Sequence, residues 1–564
     1  MQVNNEVLGQ ALVEKGILKE QNLNMMLGVA KMKGGSLEDM LFEKGIIKEN
    51  ELGEAIAELY KVPFIKVGNR KVADEVLKIV PNKLAASKYV IPFEIKNGKL
   101  YVAMNNPRNF ELINFIEKKS GLSVEAFYAT KKDIRLGLKS YNKDVNLRFK
   151  KLLKGALEDP SKIESLQDAA KILDTIILFA FQSNASDIHI EPHKESIVVR
   201  YRIDGILQTI AEFPTRILTL LTTRVKVLAN LRTDEHRAAQ DGRFKIDLEG
   251  NEIILRVSIL PTYEGEKTVM RILSSVAQEL NLEALGYSEH NLDVIRKNIK
   301  KTHGIILVTG PSGSGKTTSM YSVLKLLNSP EINISTIEDP IEYQLEGVNQ
   351  IQVNVKTNLT FAAGLKSLLR QDPDILMVGE IRDGETASIA INSALTGHLV
   401  IATLHTNDVA TTLPRLVDMK IEPFLVSATV QLVVAQRLVR MICDRCKEEY
   451  KLTMEQVTAL GKNFDLDVDL KELMVQNEKD GKVSLYKGKG CSDCTDTGFK
   501  GRTSIAEVMQ VTQPIRKLIL ENGSPNEIEE KAKNEGMVPI FVDGVNKALK
   551  GETTIEEILR VMRS

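Results

Sequence analysis

The clearest structural signal in the chain is "GIILVTGPSGSGKTTSMYSVLKLLN", residues 304–328. An apolar run, a glycine-rich loop and a helix-like segment follow one another in it. The loop matches the pattern G-x-x-x-x-G-K-T in the strand–loop–helix context that this pattern requires. Further buried strands, such as "DILMVGE" (374–380), alternate with helical segments downstream. This alternation predicts an α/β fold class.

The glycine-rich loop has the composition of a phosphate-binding site. Glycine permits backbone conformations that direct several N–H groups at phosphate oxygens, and the following helix adds the positive end of its dipole. A lysine at this position places its charge on the β- and γ-phosphates, and the next hydroxyl is a natural Mg²⁺ ligand. The predicted nucleotide-binding residues are Gly310, Pro311, Ser312, Gly313, Ser314, Gly315, Lys316, Thr317 and Thr318.

Two acidic segments follow the loop, "TIEDPIEY" (336–343) and "DPDILMVGEIRD" (372–383). Glu380 comes directly after a buried strand, at the carboxyl edge of the expected sheet, where α/β proteins bind ligands. It is therefore the candidate ligand of Mg²⁺ through water. Glu338, Asp339 and Glu342 compete for the role of the residue that activates the attacking water.

Two histidines, His398 and His405, lie seven residues apart in "TGHLVIATLHTND" (396–408), a run otherwise typical of a buried strand. Metal ligand, catalytic base and ordinary core histidine are the alternatives. A metal role is disfavoured because no cysteine or third histidine accompanies them at ligand spacing. On their own, the residues favour the ordinary core histidine over the catalytic base.

All four cysteines of the chain fall in two C-x-x-C pairs, "CDRC" (443–446) and "CSDC" (491–494). This spacing predicts a structural, tetrahedral zinc site formed by Cys443, Cys446, Cys491 and Cys494. A redox pair is the weaker alternative, because neither motif lies at a thioredoxin-like strand–helix junction.

Bulk composition restricts the class of protein. Three to five domains are expected for 564 residues. Lys+Arg and Asp+Glu both number 75, tryptophan is absent and aromatic residues make up 5%, which disfavours a nucleic-acid motor. A nucleotide-binding module without turnover is disfavoured because Lys316, Glu342 and Glu380 are all present. No apolar run approaches the roughly 18 residues of a membrane span, and the N-terminus lacks a signal-peptide pattern. We therefore expect a cytoplasmic protein that contacts the membrane through a partner.

The N-terminal region contains an internal repeat. "LVEKGILKEQNL" (12–23) returns as "LFEKGIIKENEL" (41–52), and each copy predicts a helix, a turn at glycine and a second helix near Lys-Glu. Two copies are too few for a solenoid, so a small helical module is expected. A small α/β unit should follow, and then a charged stretch, 142–165, that suits either a linker or in part an exposed helix.

Taken together, "GPSGSGKTT", "TIEDPIEY", "RQDPDILMVGEIRD" and "TGHLVIATLHTND" resemble the Walker A, Asp box, Walker B and His box of the secretion ATPase superfamily. Members of this family power type IV pili, type II secretion and related systems. "ASDIHIEP", "RYRIDG", "QDGRF" and "RVSILPT" resemble the family's second N-terminal domain. "GRTSIAEVM" (501–509) and residues 543–562 resemble its C-terminal helices, so that the resemblance covers nearly the whole chain.

The resemblance implies a RecA-like P-loop ATPase domain preceded by α+β N-terminal domains, with a zinc-binding insert. The implied domains are 1–140 (helical repeat and small α/β unit, for docking), 141–165 (linker), 166–280 (a PAS-like domain supplying arginines) and 281–564 (the ATPase domain, with the zinc module at 441–500 and C-terminal helices at 501–564).

The resemblance also implies roles for single residues. Glu380 corresponds to the Walker B acid, and Glu342 is the first choice for general base, with Glu338 second. His398 and His405 are implied to line the nucleotide site and to report on the γ-phosphate. Among the arginines of the preceding domain (Arg202, Arg243, Arg256 and Arg271), Arg256 and Arg271 are implied to reach the ATP of a neighbouring subunit.

The implied function is that of a hexameric cytoplasmic ATPase that drives type IV pilus assembly, with a type II secretion motor as the alternative. The cysteine insert and the first N-terminal domain are typical of assembly and secretion ATPases, and the doubled repeat favours the pilus extension branch. ATP, Mg²⁺ and Zn²⁺ are the implied cofactors. An inner-membrane platform protein and a cytoplasmic pilus alignment-complex protein are the implied partners, without nucleic acid.

The repeat resembles a module that binds cyclic di-GMP in some relatives. Those repeats begin Arg-Leu-Gly, whereas this chain has "VLG" at 7–9 and "SLE" at 36–38. The loss of both arginines removes the bidentate partners of phosphate and guanine. Protein docking is therefore favoured over cyclic di-GMP binding.

Overall fold

A computed structural model of the chain describes residues 5–15, 49–68, 70, 72–138, 166–248, 251–274, 281–456, 478–479, 481–491 and 493–563, with the single positions 18, 20, 23, 37 and 41. Two compact units result. The first comprises Met1–Tyr201 and Gln208–Ile272, and the second comprises Arg202–Leu207 and Leu273–Ser564. The predicted linker, 141–165, lies outside the described residues.

The helices and strands up to residue 274 are as follows. The helices are α1 (Asn5–Glu14), α2 (Glu49–Tyr60), α3 (Asp74–Leu77), α4 (Asn82–Lys88), α5 (Phe110–Ser120), α6 (Lys131–Leu138), α7 (Leu166–Gln182) and α8 (Leu218–Leu228). The strands are β1 (Val90–Lys96), β2 (Lys99–Met104), β3 (Ser123–Tyr128), β4 (Ala185–Pro192), β5 (Ser196–Ile203), β6 (Ile206–Pro214), β7 (Gln240–Leu248), β8 (Asn251–Thr262) and β9 (Gly265–Ser274).

The N-terminal repeat forms a shared apolar core. Its described leucines are all buried in one cluster, and three pairs of them are separated by the 29-residue offset of the repeat: Leu8 and Leu37, Leu12 and Leu41, Leu23 and Leu52. Equivalent positions of the two copies thus face the same interior. Helix α2 begins one residue after Lys48, as the Lys-Glu pattern predicts, whereas the two glycine turns lie outside the described residues.

Beyond the repeat, β1, β2 and β3 form a small sheet, and a six-stranded sheet follows in the order β6-β5-β4-β9-β8-β7. Strand β8 shows the period of two that its sequence predicts. Ile253, Leu255, Val257 and Ile259 are fully buried, whereas Arg256 between them is exposed. The arginine side chains therefore lie on the face away from the core.

The second unit contains the remaining elements. The helices are α9 (Glu289–Asn298), α10 (Lys316–Leu327), α11 (Phe361–Leu368), α12 (Gly384–Leu395), α13 (Val409–Asp418), α14 (Pro423–Thr429), α15 (Gln513–Leu520), α16 (Pro525–Asn534), α17 (Ile540–Leu549) and α18 (Ile555–Met562). The strands are β10 (Gly304–Thr309), β11 (Ile334–Glu338), β12 (Asn349–Gln352), β13 (Ile375–Val378), β14 (Leu399–Leu404), β15 (Val430–Ile442), β16 (Lys447–Thr453), β17 (Glu478–Lys479), β18 (Lys482–Gly488) and β19 (Phe499–Gln510).

A seven-stranded sheet organises this unit, in the order β12-β11-β13-β14-β10-β15-β19. Six of its strands are parallel and β19 is antiparallel at the edge. Alternate residues of β10 enter two apolar cores, Ile305 and Leu307 on one face and Ile306 and Val308 on the other. Helices cover both faces, which confirms the predicted α/β class, with α+β sheets preceding an ATPase-type domain.

One sequence assignment is wrong. The resemblance predicts residues 501–509 among the C-terminal helices, but they lie in β19, which pairs with β15 from Leu432 to Ile442. Positions 503–509 are buried without interruption. A strand covered on both faces shows no period of two, and this is why its sequence is ambiguous. Residues 543–562 are helical, in α17 and α18.

Within the described part of the chain, no helix combines the length and the apolar character that crossing a bilayer requires.

Candidate nucleotide-binding site

The glycine-rich loop connects β10 to α10 at the carboxyl edge of the central sheet. Gly310, Gly313 and Gly315 have φ angles of +137°, +78° and +89°, in the region that residues with a Cβ rarely adopt. Helix α10 begins at Lys316 directly after the last of these glycines. Its first backbone N–H groups, together with those of the loop, form a concave donor surface suited to phosphate.

Lys316 lies across this loop. Its Nζ donates to the carbonyl oxygens of Gly310 at 2.7 Å and Pro311 at 3.1 Å. Burial lowers the pKa of the ammonium group, and the negative charge of Glu380 opposes that shift. The ammonium group of Lys316 therefore lies against the loop and interacts electrostatically with Glu380, the acid that follows β13.

Glu380 is held by two cationic or polar partners. Its carboxylate accepts from Arg382 and from His405 Nε2, the latter at 3.1 Å. Partial burial acts to raise the pKa of Glu380, but the hydrogen bonds and the charges of Arg382 and His405 together lower it. The carboxylate is therefore ionised, and its oxygens are of the kind that Mg²⁺ prefers. Arg382 also approaches Asp339 Oδ2 at 3.8 Å and so links the two acidic segments.

Hydrogen bonds between strand ends bring His405 to the site. The Thr309 hydroxyl, at the end of β10, donates to the Leu404 carbonyl at 3.0 Å and accepts from the Thr406 backbone N–H at 3.0 Å. Thr403 donates to the Gly379 carbonyl at 2.6 Å. These hydrogen bonds therefore hold the segment that carries His405 between the phosphate loop and Glu380.

The structure does not bring His398 to the phosphate loop. It precedes β14, whose six residues separate it from His405 by about 20 Å of strand. Its backbone carbonyl accepts from Gly304, the first residue of β10, and its Nδ1 contacts the Ser393 carbonyl at 2.9 Å. His398 thus lies at the amino edge of the sheet, opposite the loop, and the predicted role in lining the nucleotide site does not fit this position within one chain.

The two candidate general bases occupy different environments. Glu338, the last residue of β11, is 2% exposed and accepts hydrogen bonds from Tyr321, Thr336 and Gln350. Burial raises its pKa, these hydrogen bonds oppose the shift, and the nearby charge of Glu342 adds to it. Glu342 is only partly buried, four residues beyond the strand. Of the two, Glu342 has the accessibility that contact with a water molecule requires.

The four cysteines lie together, as the spacing predicts. Their sulfur atoms are all within 4.8 Å of one another. The distances between Cys443 and Cys491 and between Cys446 and Cys494 are 3.8 Å. A tetrahedral shell with zinc–sulfur bonds of about 2.3 Å separates its sulfurs by about 3.8 Å. The cluster therefore fits a metal ion bound by four thiolates.

Two residues near the loop were not identified from the sequence. Arg382 follows Glu380 by two positions, and the motif alone does not distinguish it from a surface arginine. Gln436 lies within β15, buried to 1% exposure, and contacts the phosphate loop. An amide inside the apolar run "LVVAQRLV" (432–439) is the one feature of the sequence that marks it.

Comparison with known sequences places these features in one family. The profile of the Type II/IV secretion system protein family matches residues 162–560, and that of the MshEN domain matches residues 60–145. The first match covers the six-stranded sheet, the phosphate loop, both acidic segments and the cysteine cluster.

Similar proteins extend over the whole chain. The type IV pilus assembly ATPase PilB of Myxococcus xanthus is 36% identical over 98% of this chain and 98% of its own length. The type II secretion system protein E of Xanthomonas campestris is 36% identical over 98% of this chain and 97% of its own. Among solved structures, the Legionella pneumophila ATPase DotB is similar in fold, with a TM-score of 0.51 and 22% identity over 69% of this chain and 95% of its own.

Proposed function

The chain belongs to the type II/IV secretion system ATPase family, and from this membership we propose that it is the motor that drives assembly of type IV pili. ATP hydrolysis is the activity of the family, and the chain is an ATPase. The finer proposal is carried by the similarity to the pilus assembly ATPase of M. xanthus along 98% of both chains, taken together with the doubled N-terminal repeat.

The loop from Gly310 to Thr318 binds the phosphates of the substrate, ATP. Lys316 exchanges its carbonyl partners for the β- and γ-phosphates, which offer the buried ammonium group a stronger, charged acceptor. His405 and Arg382 hold the Glu380 carboxylate in place. Glu342 accepts a proton from the attacking water, with Glu338 as the alternative base.

Mg²⁺ fits the oxygen donors at the loop. The Thr317 hydroxyl and, through water, the Glu380 carboxylate would hold it. When bound, the ion neutralises charge on the phosphates. The lowered pKa of Glu380 supports this assignment, because a ligand of Mg²⁺ must be ionised.

Zinc fits the cysteine cluster. Four thiolates leave no open coordination position, so the metal has a structural role. A bound zinc ion would link Cys443, the residue directly after β15, to Cys491 and Cys494 in the segment before β19.

The protein works as a ring, which we take to be a homohexamer, beneath an inner-membrane platform protein on the cytoplasmic side. Arg256 and Arg271 act on the ATP of the neighbouring subunit. Residues 1–140 dock an alignment-complex protein rather than nucleic acid or cyclic di-GMP. Residues 166–280 supply the arginines, and residues 281–564 form the motor domain. Family membership and the exposed arginines support this arrangement.

A type II secretion motor is the second candidate. The protein E of X. campestris matches this chain at the same identity and nearly the same coverage. The nucleotide site is common to both, so it does not separate them.

The test is deletion of the gene in the source organism. We expect surface pili to disappear while secretion of folded exoproteins continues. The wild-type gene should restore pili, and Lys316→Ala should not. Normal piliation combined with loss of exoprotein secretion would replace the pilus assignment with the second candidate.

A further inference from the structure

Gln436 is a buried polar residue that the mechanism above does not use. It lies in β15, next to β10, where Thr309 pairs with Ala435. Only 1% of it is exposed. Burial of an amide without hydrogen-bond partners is strongly unfavourable, so the partners of this side chain are informative.

Both ends of the Gln436 amide are engaged by the region of the phosphate loop. Nε2 donates to the Ser314 carbonyl at 2.8 Å. Oε1 accepts from the Ser319 hydroxyl at 2.8 Å and from the Tyr287 hydroxyl. The two hydroxyls are themselves 3.0 Å apart. One side chain therefore joins the loop, the first turn of α10 and the segment that precedes α9.

The backbone of β15 also approaches the loop closely. A Cβ atom at Gly310 would lie 2.4 Å from the Gln436 carbonyl oxygen, and one at Gly315 would lie 3.1 Å from Nε2. The proximity of Gln436 therefore excludes a Cβ atom at Gly310 and would crowd one at Gly315, and both positions also have positive φ angles.

The hydrogen bond to Ser314 has a consequence for phosphate binding. In a trans peptide, the C=O and the following N–H point in opposite directions. Fixing the Ser314 carbonyl against Gln436 therefore turns the Gly315 N–H away from β15, towards the concave side of the loop. We propose that Gln436 is a positioning residue for ATP, which orients the Gly315 N–H as a phosphate donor. This inference rests on the proposed assignment of the loop as the nucleotide site.

The test measures affinity for ATP by fluorescence titration and KM and kcat by phosphate release, on the full-length protein. Gln436→Leu, which removes both polar ends at similar volume, should weaken ATP binding and raise KM by about tenfold, the effect of roughly one lost hydrogen bond. Gln436→Glu should weaken binding more, because a carboxylate oxygen would face the Ser314 carbonyl. Gln431 provides the control, since it is in the same strand but bonds to Lys301 and Arg516. Gln431→Leu should bind ATP as the wild type does.

If Gln436→Leu does not fold, Tyr287→Phe and Ser319→Ala each remove one hydroxyl from the network, and each should raise KM by about two- to fivefold. Wild-type affinity and KM in folded Gln436→Leu, or in both hydroxyl variants, would overturn the inference. Lys316→Ala separates the two proposals. An active Lys316→Ala protein would refute the nucleotide site itself, whereas an inactive one beside a normal Gln436→Leu would refute only the positioning role.

Discussion

The ammonium group of Lys316 is satisfied by two carbonyls of its own loop. Replacement by alanine removes the charge expected on the β- and γ-phosphates without leaving a buried charge unpaired. We expect Lys316→Ala to fold normally and to lose ATP hydrolysis by on the order of a thousandfold. Lys325→Ala, an exposed position on the same helix, is the matched control and should keep its activity. Near-normal turnover by folded Lys316→Ala would remove this loop from catalysis.

We expect substitution of Glu342 to impair catalysis and substitution of Glu338 to impair stability. Glu342→Gln should retain ATP binding and lose hydrolysis by on the order of 10²–10⁴-fold, the range of general-base catalysis. Glu338→Gln should lower the free energy of unfolding by about 1–3 kcal/mol, because an amide cannot accept all the hydrogen bonds that the carboxylate accepts. Single-turnover kinetics and denaturant unfolding measure the two effects.

Glu346→Gln, an exposed change in the same segment, controls for loss of charge. If Glu342→Gln keeps its activity and Glu338→Gln loses it with ATP binding intact, the general base is Glu338.

At single positions, sequence indicates chemistry where a residue type and its spacing are typical of one kind of site. The loop residues and the cysteines are of this kind. Gln436 is not, because its partners Tyr287 and Ser319 are 149 and 117 residues away in sequence and only the folded chain brings them together. His398 shows the converse case. It shares a motif with His405, but a whole strand separates them.

Secondary structure was predictable where one face of an element is buried. The strands β8 and β9 and the helix α10 follow from alternation and from the loop pattern. Strand β19 could not be predicted from its sequence, because burial on both faces removes the alternation of apolar and polar residues. The pairing of β15 with β19 could not be predicted from the sequence either, since the chain between the two strands includes the whole cysteine segment.

That pairing explains where the cysteines meet. Ile442 is opposite Phe499 at the end of the β15–β19 ladder, and the Cys443 backbone N–H donates to the Gly498 carbonyl at 3.0 Å. The Ile442 N–H donates to Glu552, between α17 and α18, at 2.9 Å. A metal at this point would therefore stabilise the end of the ladder and the last two helices together.

We expect one zinc ion per chain by elemental analysis of protein from metal-replete growth. A strong chelator should remove it and lower the melting temperature, and Cys446→Ser should do the same. Asp444→Asn, an exposed change within the same C-x-x-C turn, should keep the metal. Well under half an equivalent of zinc in the wild-type protein would contradict the assignment.

On the scale of the whole molecule, the arginines of the six-stranded sheet have an unusual arrangement. Arg243 and Arg256 are directly opposite each other on β7 and β8, and both are exposed. Like charges at such positions destabilise a sheet, and an anion between subunits would relieve the repulsion. Arg271 is 58% exposed even though its Nε donates to Asp187 at 3.0 Å. These side chains could reach an acceptor on another chain.

The expectation is that the arginines act in trans within a ring. Arg271→Ala subunits retain an intact phosphate loop, and Lys316→Ala subunits retain intact arginines. After random one-to-one mixing, about a quarter of the interfaces combine an intact phosphate loop on one subunit with intact arginines on its neighbour. Mixed rings should therefore recover up to about a quarter of wild-type ATP hydrolysis. Because Arg271→Ala removes a charged partner of the buried Asp187, Arg256→Ala should be mixed in parallel. Mixing Lys316→Ala with the double variant Arg271→Ala/Lys316→Ala is the control and should recover nothing, since no subunit then has an intact loop. Activity no higher than the sum of the two pure variants, with subunit exchange confirmed, would show that the arginines do not complete a neighbouring site.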